Sequence, residues 1–371
     1  MTATVATTTA PTNTSAPAAP LASPDPAKLD AFLGQVVGDA GAAFSAALVV
    51  VGDRLGLYKA LTRGACDAAE LARRTGTHER YVQEWLDAQA SGGYVRYDKT
   101  TRTYELPPEQ ATALADEQSP AFMPGMFQVM HAVWSAVDRM SENFKSGSGL
   151  PWAEHHNCLF EGTERFFRAG YRGNLITAWL PALDGVVAKL ERGAKVADVG
   201  CGLGASTILM AQAYPRSRFY GYDSHAGSID LARQRAAAAG VADRVSFEVA
   251  GATTFPGRDS DLIAHFDCLH DMEDPVGAAR HARQTLARDG SWMIVEPFAA
   301  DNREDNHNAV GRVFYSCSTM ICVPHSLSRR GPALGAQAGE TRLRQIARDG
   351  GFDRFRRATQ TPFNLILEAR P

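Results

Sequence analysis

The segment VADVGCGLG, residues 196–204, constrains the chain more than any other. An apolar strand runs into Gly200, Gly202 and Gly204 and continues directly into STILMAQAYP, a helical stretch. Glycines at such a junction let the backbone turn sharply and approach a ligand to contact distance. The same texture carries on downstream: RFYGYD, VSFEVA, DLIAHFD and SWMIVEP read as strands, with GSIDLARQRAAAAG and PVGAARHARQTLARDG as helices between them. Strands alternating with helices predict a doubly wound, mostly parallel sheet in an α/β fold. After Glu340 a helix ending at GGF precedes RFRRAT and FNLILEA, joined closely enough to pair antiparallel.

Ligands of open α/β sheets settle at the carboxyl ends of the strands, where this loop lies. The dinucleotide fingerprint spaces its glycines GxGxxG and seats a pyrophosphate on the helix amino terminus. Here the spacing is GxGxG, with Ala205 next. Asp223 closes the following strand, where a carboxylate can accept both ribose hydroxyls. Loop and acid together favour a nucleoside ligand.

Upstream the chain is mostly helical. Residues 1–27 are rich in Ala, Thr, Pro and Ser with Asp25 as the only charge, a composition expected to be disordered and unlike a signal or transit peptide. From about Pro26 to Leu61 the pattern is helical and carries more apolar surface than one exposed helix leaves in water, so the stretch Phe44 to Leu57 is expected to pair subunits in a homodimer. DAAELARRTG and HERYVQEWLDAQASGGYV read as two helices, and VRYDKTTRTYELP as a hairpin, the order of a winged helix. The second helix sets Arg80 against Glu79, Glu84 and Asp87, a poor footprint for phosphates, so no nucleic-acid partner is expected. Residues 120–190 carry many aromatics, among them Trp134, Phe144, Trp152, Phe160, Phe166, Phe167, Tyr171 and Trp179, which either pack a core or line a pocket for a carbon-rich substrate. Three histidines, His131, His155 and His156, lie among them, and the adjacent pair is expected at a partly solvated helix end.

The net charge of −3 gives the chain no basic field, and no uninterrupted apolar run reaches the ~18 residues of a membrane span. Six cysteines without a CxxC read as reduced thiols of a cytoplasmic protein.

With the glycine loop and Asp223 in place, the chain resembles the class I S-adenosylmethionine-dependent methyltransferases, and within them the bacterial natural-product members that carry an amino-terminal winged helix. The resemblance implies a disordered tail (1–27), a helical winged-helix dimerisation domain (28–115), a helical linker and substrate lid (116–190) and a Rossmann-like methyltransferase domain (191–371). It implies that Asp198, Gly200, Cys201, Gly202 and Gly204 hold the methionine part of S-adenosylmethionine, and that Asp223 with Ser224 holds the ribose. The family often has an acid after the third strand facing the adenine. This chain offers Gly251, Ala252 and Thr253 instead, so backbone groups take that role. Asp267 is grouped with the cofactor site at the end of the fourth strand.

The run CLHDM resembles a segment in which a histidine acts as general base in small-molecule O-methyltransferases. An imidazole with an ordinary pKa near ~6.5 can take a hydroxyl proton at neutral pH. His270 is then the catalytic base, oriented by Asp271 or Glu296; the alternative is a histidine that only caps the turn. A metal reading groups His270 and Asp271 with His307 or His325, as in related C-methyltransferases, although no close spacing ties these histidines together. The implied reaction moves a methyl group to a small acceptor, with O-methylation favoured over N- or C-methylation and S-adenosylhomocysteine as product. The rival is a regulator that senses the same cofactor.

Overall fold

The computed structural model describes residues 23–371; the start of the chain expected to be disordered lies, up to residue 22, outside the described residues. Residues up to Phe44 and residues 45–371 are two separate units.

Helix α1 (Pro26–Arg54) opens the described chain. An 18-residue window within it has a mean hydropathy of 1.5, so the helix is long and apolar enough to cross a membrane by length and composition alone. Asp30, Gln35 and Asp39 interrupt its apolar residues, so it shows no unbroken apolar run of that length in the sequence. Ala46, Val49, Val50 and Gly52 are buried. The Phe44–Leu57 stretch expected to pair subunits is therefore partly the chain's own core, where Val49 and Leu57 pack with Tyr58, Leu61, Leu71 and Leu86. Gly56 adopts φ +68° and breaks the helix before α2 (Leu57–Leu61).

The winged-helix pattern folds as read. In α3 (Ala68–Thr75) the Asp67 carboxylate accepts the Glu70 N–H at 2.9 Å, and Gly76 ends the helix in the left-handed conformation. Next come α4 (Glu79–Ser91) and the antiparallel hairpin of β1 (Arg96–Asp98) and β2 (Thr103–Glu105).

A helical layer follows: α5 (Pro108–Leu114), α6 (Pro124–Ser135), α7 (Val137–Ser146) and α8 (Cys158–Asn174), then a π-helical turn Leu175–Trp179 and α9 (Val186–Arg192). Helices α6 and α8 cross at Gly125 and Gly162; a Cβ added at Gly162 would meet the Gly125 carbonyl oxygen at 2.8 Å and the Val129 nitrogen at 2.9 Å. Backbone cannot yield as a flexible side chain does. Gly162→Ala is therefore expected to destabilise the fold by about 1–3 kcal/mol, read as a lower melting temperature.

The sheet is built from β3 (Lys195–Val199), β4 (Arg218–Asp223), β5 (Val245–Val249), β6 (Ser260–Phe266), β7 (Leu286–Pro297), β8 (Arg354–Gln360) and β9 (Asn364–Arg370). Its order is β5-β4-β3-β6-β7-β9-β8, with β3 to β7 parallel and β9 antiparallel to both β7 and β8. The order reverses at β3 and β6, so a crevice opens at their carboxyl ends. Helices α10 (Ala205–Ala213), α11 (Ala226–Ala238), α12 (Pro275–Thr285), α13 (Ala309–Cys317), α14 (Val323–Ser328) and α15 (Gly339–Asp349) complete the domain. The helix expected over PVGAARHARQTLARDG stops at Thr285, because Leu286 pairs with Ser260 at the start of β7 and buries its side chain.

Candidate active site

The carboxyl ends of β3, β4, β6 and β7 open into a cavity of about 380 Å³, roofed by α6 and α8 and closed on one side by α13 and α14. Gly200, Cys201, Gly202, Leu203, Asp223 and Ser224 line one part of it, together with Gly251, Ala252 and Thr253. His270, Asp271 and Asp267 line another. Gly200 has φ +78°, and a Cβ there would sit 2.6 Å from the Cys268 sulfur, so only glycine fits.

Asp223 ties the loop to the neighbouring strand. One of its oxygens accepts the Gly202 N–H at 2.9 Å and the other the His225 N–H at 2.8 Å. Burial raises its carboxyl above the usual range, opposed by those two backbone donors. Asp198 behaves differently from the expectation. It is fully buried beneath the cavity lining, and Oδ2 accepts the hydroxyls of Ser206 and Thr207, both at 2.6 Å, pinning the first turn of α10. Its Oδ1 has no partner. Burial pushes its pKa up to about 6. Gly204, with φ +80°, is likewise outside the lining, packed against Phe247 and Ala232.

His270 is buried, and its Nδ1 lies 2.5 Å from Glu296 Oε2, while Oε1 of the same carboxylate accepts the Leu269 N–H at 2.8 Å. Of the two acids considered as orienting partners, Glu296 holds the ring. Asp271 stands beside the pair, its pKa pushed up to about 7 chiefly by burial. Burial also presses on the imidazole, but the Glu296 carboxylate and the adjacent Cys322 thiol outweigh it and hold His270 well above its ordinary value. Asp267 has φ +52°, a conformation rare for a residue with a side chain, and its carboxylate is held by Asn364 at 2.9 Å and the Tyr171 hydroxyl at 3.4 Å. His325 reaches the cavity but spends Nδ1 on the Trp152 N–H at 3.0 Å, and His307 is exposed and outside the lining. The expected grouping of these two with His270 around a metal is not assembled.

The helical layer supplies Trp152, Phe160, Phe166, Phe167 and Tyr171 to the roof. Trp179 is buried in the core, whereas Trp134 and Phe144 are exposed. Sequence reasoning missed Met126, Val129, Glu164, Val313, Phe314, Cys317, Ile321, Cys322 and Arg329. Their only signal was membership of amphipathic helices, which does not say what those helices cover.

The cavity wall is acidic: Glu164, Asp223, Asp267, Asp271, Glu273 and Asp274 line it against Arg329. Such a wall suits a cationic ligand better than a pyrophosphate.

A family described as methyltransferase domain matches residues 190–351, and one described as Rv2258c-like winged HTH domain matches residues 43–116. Residues 190–351 are a methyltransferase domain. The chain's methyltransferase domain is similar to the Streptomyces halstedii methyltransferase GfsG, 30% identical over 152 residues, which are 40% of this chain and 54% of GfsG. The chain thus spans about half the length of that relative, and 27% of the Arabidopsis thaliana phosphoethanolamine N-methyltransferase 1, to which it is 33% identical. Among solved structures, human N-acetylserotonin methyltransferase bound to S-adenosylmethionine superposes with a TM-score of 0.68 at 16% identity, covering 94% of this chain and 98% of that one. The mitomycin 7-O-methyltransferase MmcR gives 0.65 at 19%, covering 93% and 99%. These place the winged helix, helical layer and methyltransferase domain in one shared fold.

Proposed function

We propose that the protein transfers the methyl group of S-adenosylmethionine to a hydroxyl of a small, largely apolar acceptor, as part of natural-product chemistry in the cytoplasm. The observation that carries this reading is one cavity lined by both the glycine loop with Asp223 and His270, which Glu296 holds from behind the lining. The cofactor fits the residues present. Gly200 and Gly202 leave room for close backbone approach, Asp223 and Ser224 suit a ribose, and the backbone of Ala252 and Thr253 suits a base edge. The acidic wall suits a sulfonium, and the unpartnered Asp198 Oδ1 adds negative character behind the loop.

When bound, S-adenosylmethionine supplies an electrophilic methyl group. Glu296 holds His270 through Nδ1, so Nε2 is the ring atom that would take the acceptor's hydroxyl proton, with the Cys322 thiol also hydrogen-bonded to the ring. The roof aromatics exclude water and orient the acceptor; alignment at ~3–3.5 Å can contribute about 7–11 kcal/mol. The proposed organisation keeps the winged-helix region (28–115) for subunit pairing, 116–190 as lid and 191–371 for catalysis. Free cysteines throughout the described residues agree with a reducing compartment. The acids of α4 disfavour a nucleic-acid role, and Asp87 is spent on the Tyr104 hydroxyl at 2.5 Å.

The test is calorimetry with S-adenosylmethionine, S-adenosylhomocysteine and NADH, followed by a mass-shift screen of a producing-cell extract. Binding of the first two and a methyl mass gain are expected; NADH binding in their place would refute the reading.

Subunit pairing has its own support. Leu29, Phe32, Leu33, Val36 and Val37 recur at helical spacing on α1 and are all exposed. Light scattering is expected to give a dimer mass at micromolar concentration, and Val37→Glu with Phe32→Glu should convert it to monomer.

A further inference from the structure

We propose that His131, His156 and Cys158 form a binding site for a thiophilic divalent cation of the zinc class, on the flank of the helical layer and apart from the cavity. It goes beyond methyl transfer and does not depend on it. One ligand atom from each residue lies within 4.8 Å of the others. The Cys158 sulfur is 3.4 Å from His131 Nδ1. Bond lengths of ~2.3 Å to sulfur and ~2.0–2.1 Å to nitrogen set a sulfur–nitrogen edge of about 3.6 Å in a tetrahedral zinc site. That edge is already formed. The two imidazoles pack with centroids 4.6 Å apart and planes tilted by 34°.

The donors come from two elements. His131 projects from α6, and His156 and Cys158 bracket the start of α8. His156 Nδ1 accepts the Cys158 N–H at 3.1 Å, so this exposed ring either presents Nε2 or rotates to exchange that bond for a metal. No carboxylate belongs to the cluster, and a sulfur with two imidazoles selects zinc-like ions over magnesium or calcium. Arg54 Nη2 donates to the Cys158 sulfur at 3.2 Å. That guanidinium becomes an outer-shell donor once the sulfur is ligated. His156 also borders a hollow of about 210 Å³ lined by Ser135, Arg139 and Glu154.

An ion here would clamp α6 to the start of α8, the helix that carries Phe160, Phe166, Phe167 and Tyr171 into the cavity roof. The expected consequence is a metal-dependent rise in melting temperature.

The experiment titrates the chelator-stripped full chain with cobalt(II) and then displaces it with zinc. One equivalent is expected to bind, with thiolate-to-cobalt charge-transfer absorption and the strong visible bands of four-coordinate cobalt. Cys158→Ser should abolish the charge-transfer band, and His156→Gln, at an exposed position that does not threaten the core, should weaken binding by about 10–100-fold. A wild-type spectrum without a thiolate band overturns the proposal. So does a band that survives Cys158→Ser, or affinity unchanged in His156→Gln; if Cys158→Ser fails to fold, the wild-type spectrum and His156→Gln decide.

Discussion

His270→Ala is expected to lower turnover of the methyl acceptor by about 10²–10⁴-fold while leaving affinity for S-adenosylmethionine close to wild type. The separation follows from the site: the glycine loop and Asp223 lie on β3 and β4, whereas His270 follows β6 and is held by Glu296 at the end of β7. The pH profile sharpens the test. A base works only when unprotonated, and His270 is held above the ordinary imidazole value, because the Glu296 carboxylate and Cys322 outweigh a larger individual effect of burial. The acid limb of kcat should therefore lie above pH ~6.5 in the wild type. Glu296→Gln removes the charge that raises the imidazole, so its limb should move to lower pH while the plateau rate falls. A mutant His270→Ala that turns over normally would make the histidine structural and leave methyl transfer to proximity alone.

Asp223→Ala is expected to weaken S-adenosylmethionine and S-adenosylhomocysteine by about 10²–10⁴-fold, since two charge-assisted hydrogen bonds at ~1.5–3 kcal/mol each are lost. The residue also braces the binding loop through Gly202 and His225, so alanine loosens the loop that must approach the ligand. Asp223→Asn keeps an acceptor of the same shape without the charge and should lose less. Isothermal calorimetry on both variants measures this, and an unchanged dissociation constant for Asp223→Ala would remove the ribose role.

Much of the catalytic domain was legible because its signals are local. A strand buried on both faces shows as an unbroken apolar run, as in Trp292–Val295, and a loop requiring positive φ shows as glycine at Gly200, Gly202 and Gly204. The helix cap at Asp67 and the stop at Gly76 are equally local. Asp198 shows where such reading ends. Its motif position suggested ligand contact, yet Ser206 and Thr207, in the first turn of α10, bring hydroxyls to Oδ2 and make it a brace for the loop.

Choosing between Asp271 and Glu296 as the partner of His270 needed the register of β6 against β7, which no local pattern encodes. The roof aromatics posed the same difficulty. Trp152 faces the cavity, Trp179 the core and Trp134 the surface, although all three sit in similar helical text. Helical periodicity says that a face is apolar and is silent on what covers it. The chain's own sequence determined the alternating α/β domain, the glycine loop, the winged helix and the acid after the second strand of the sheet, because each is set by contacts within a few residues. Only the tertiary structure decided which acid holds His270, which aromatics roof the cavity, and that His131 meets His156 and Cys158, because those contacts join residues far apart in the chain through packing.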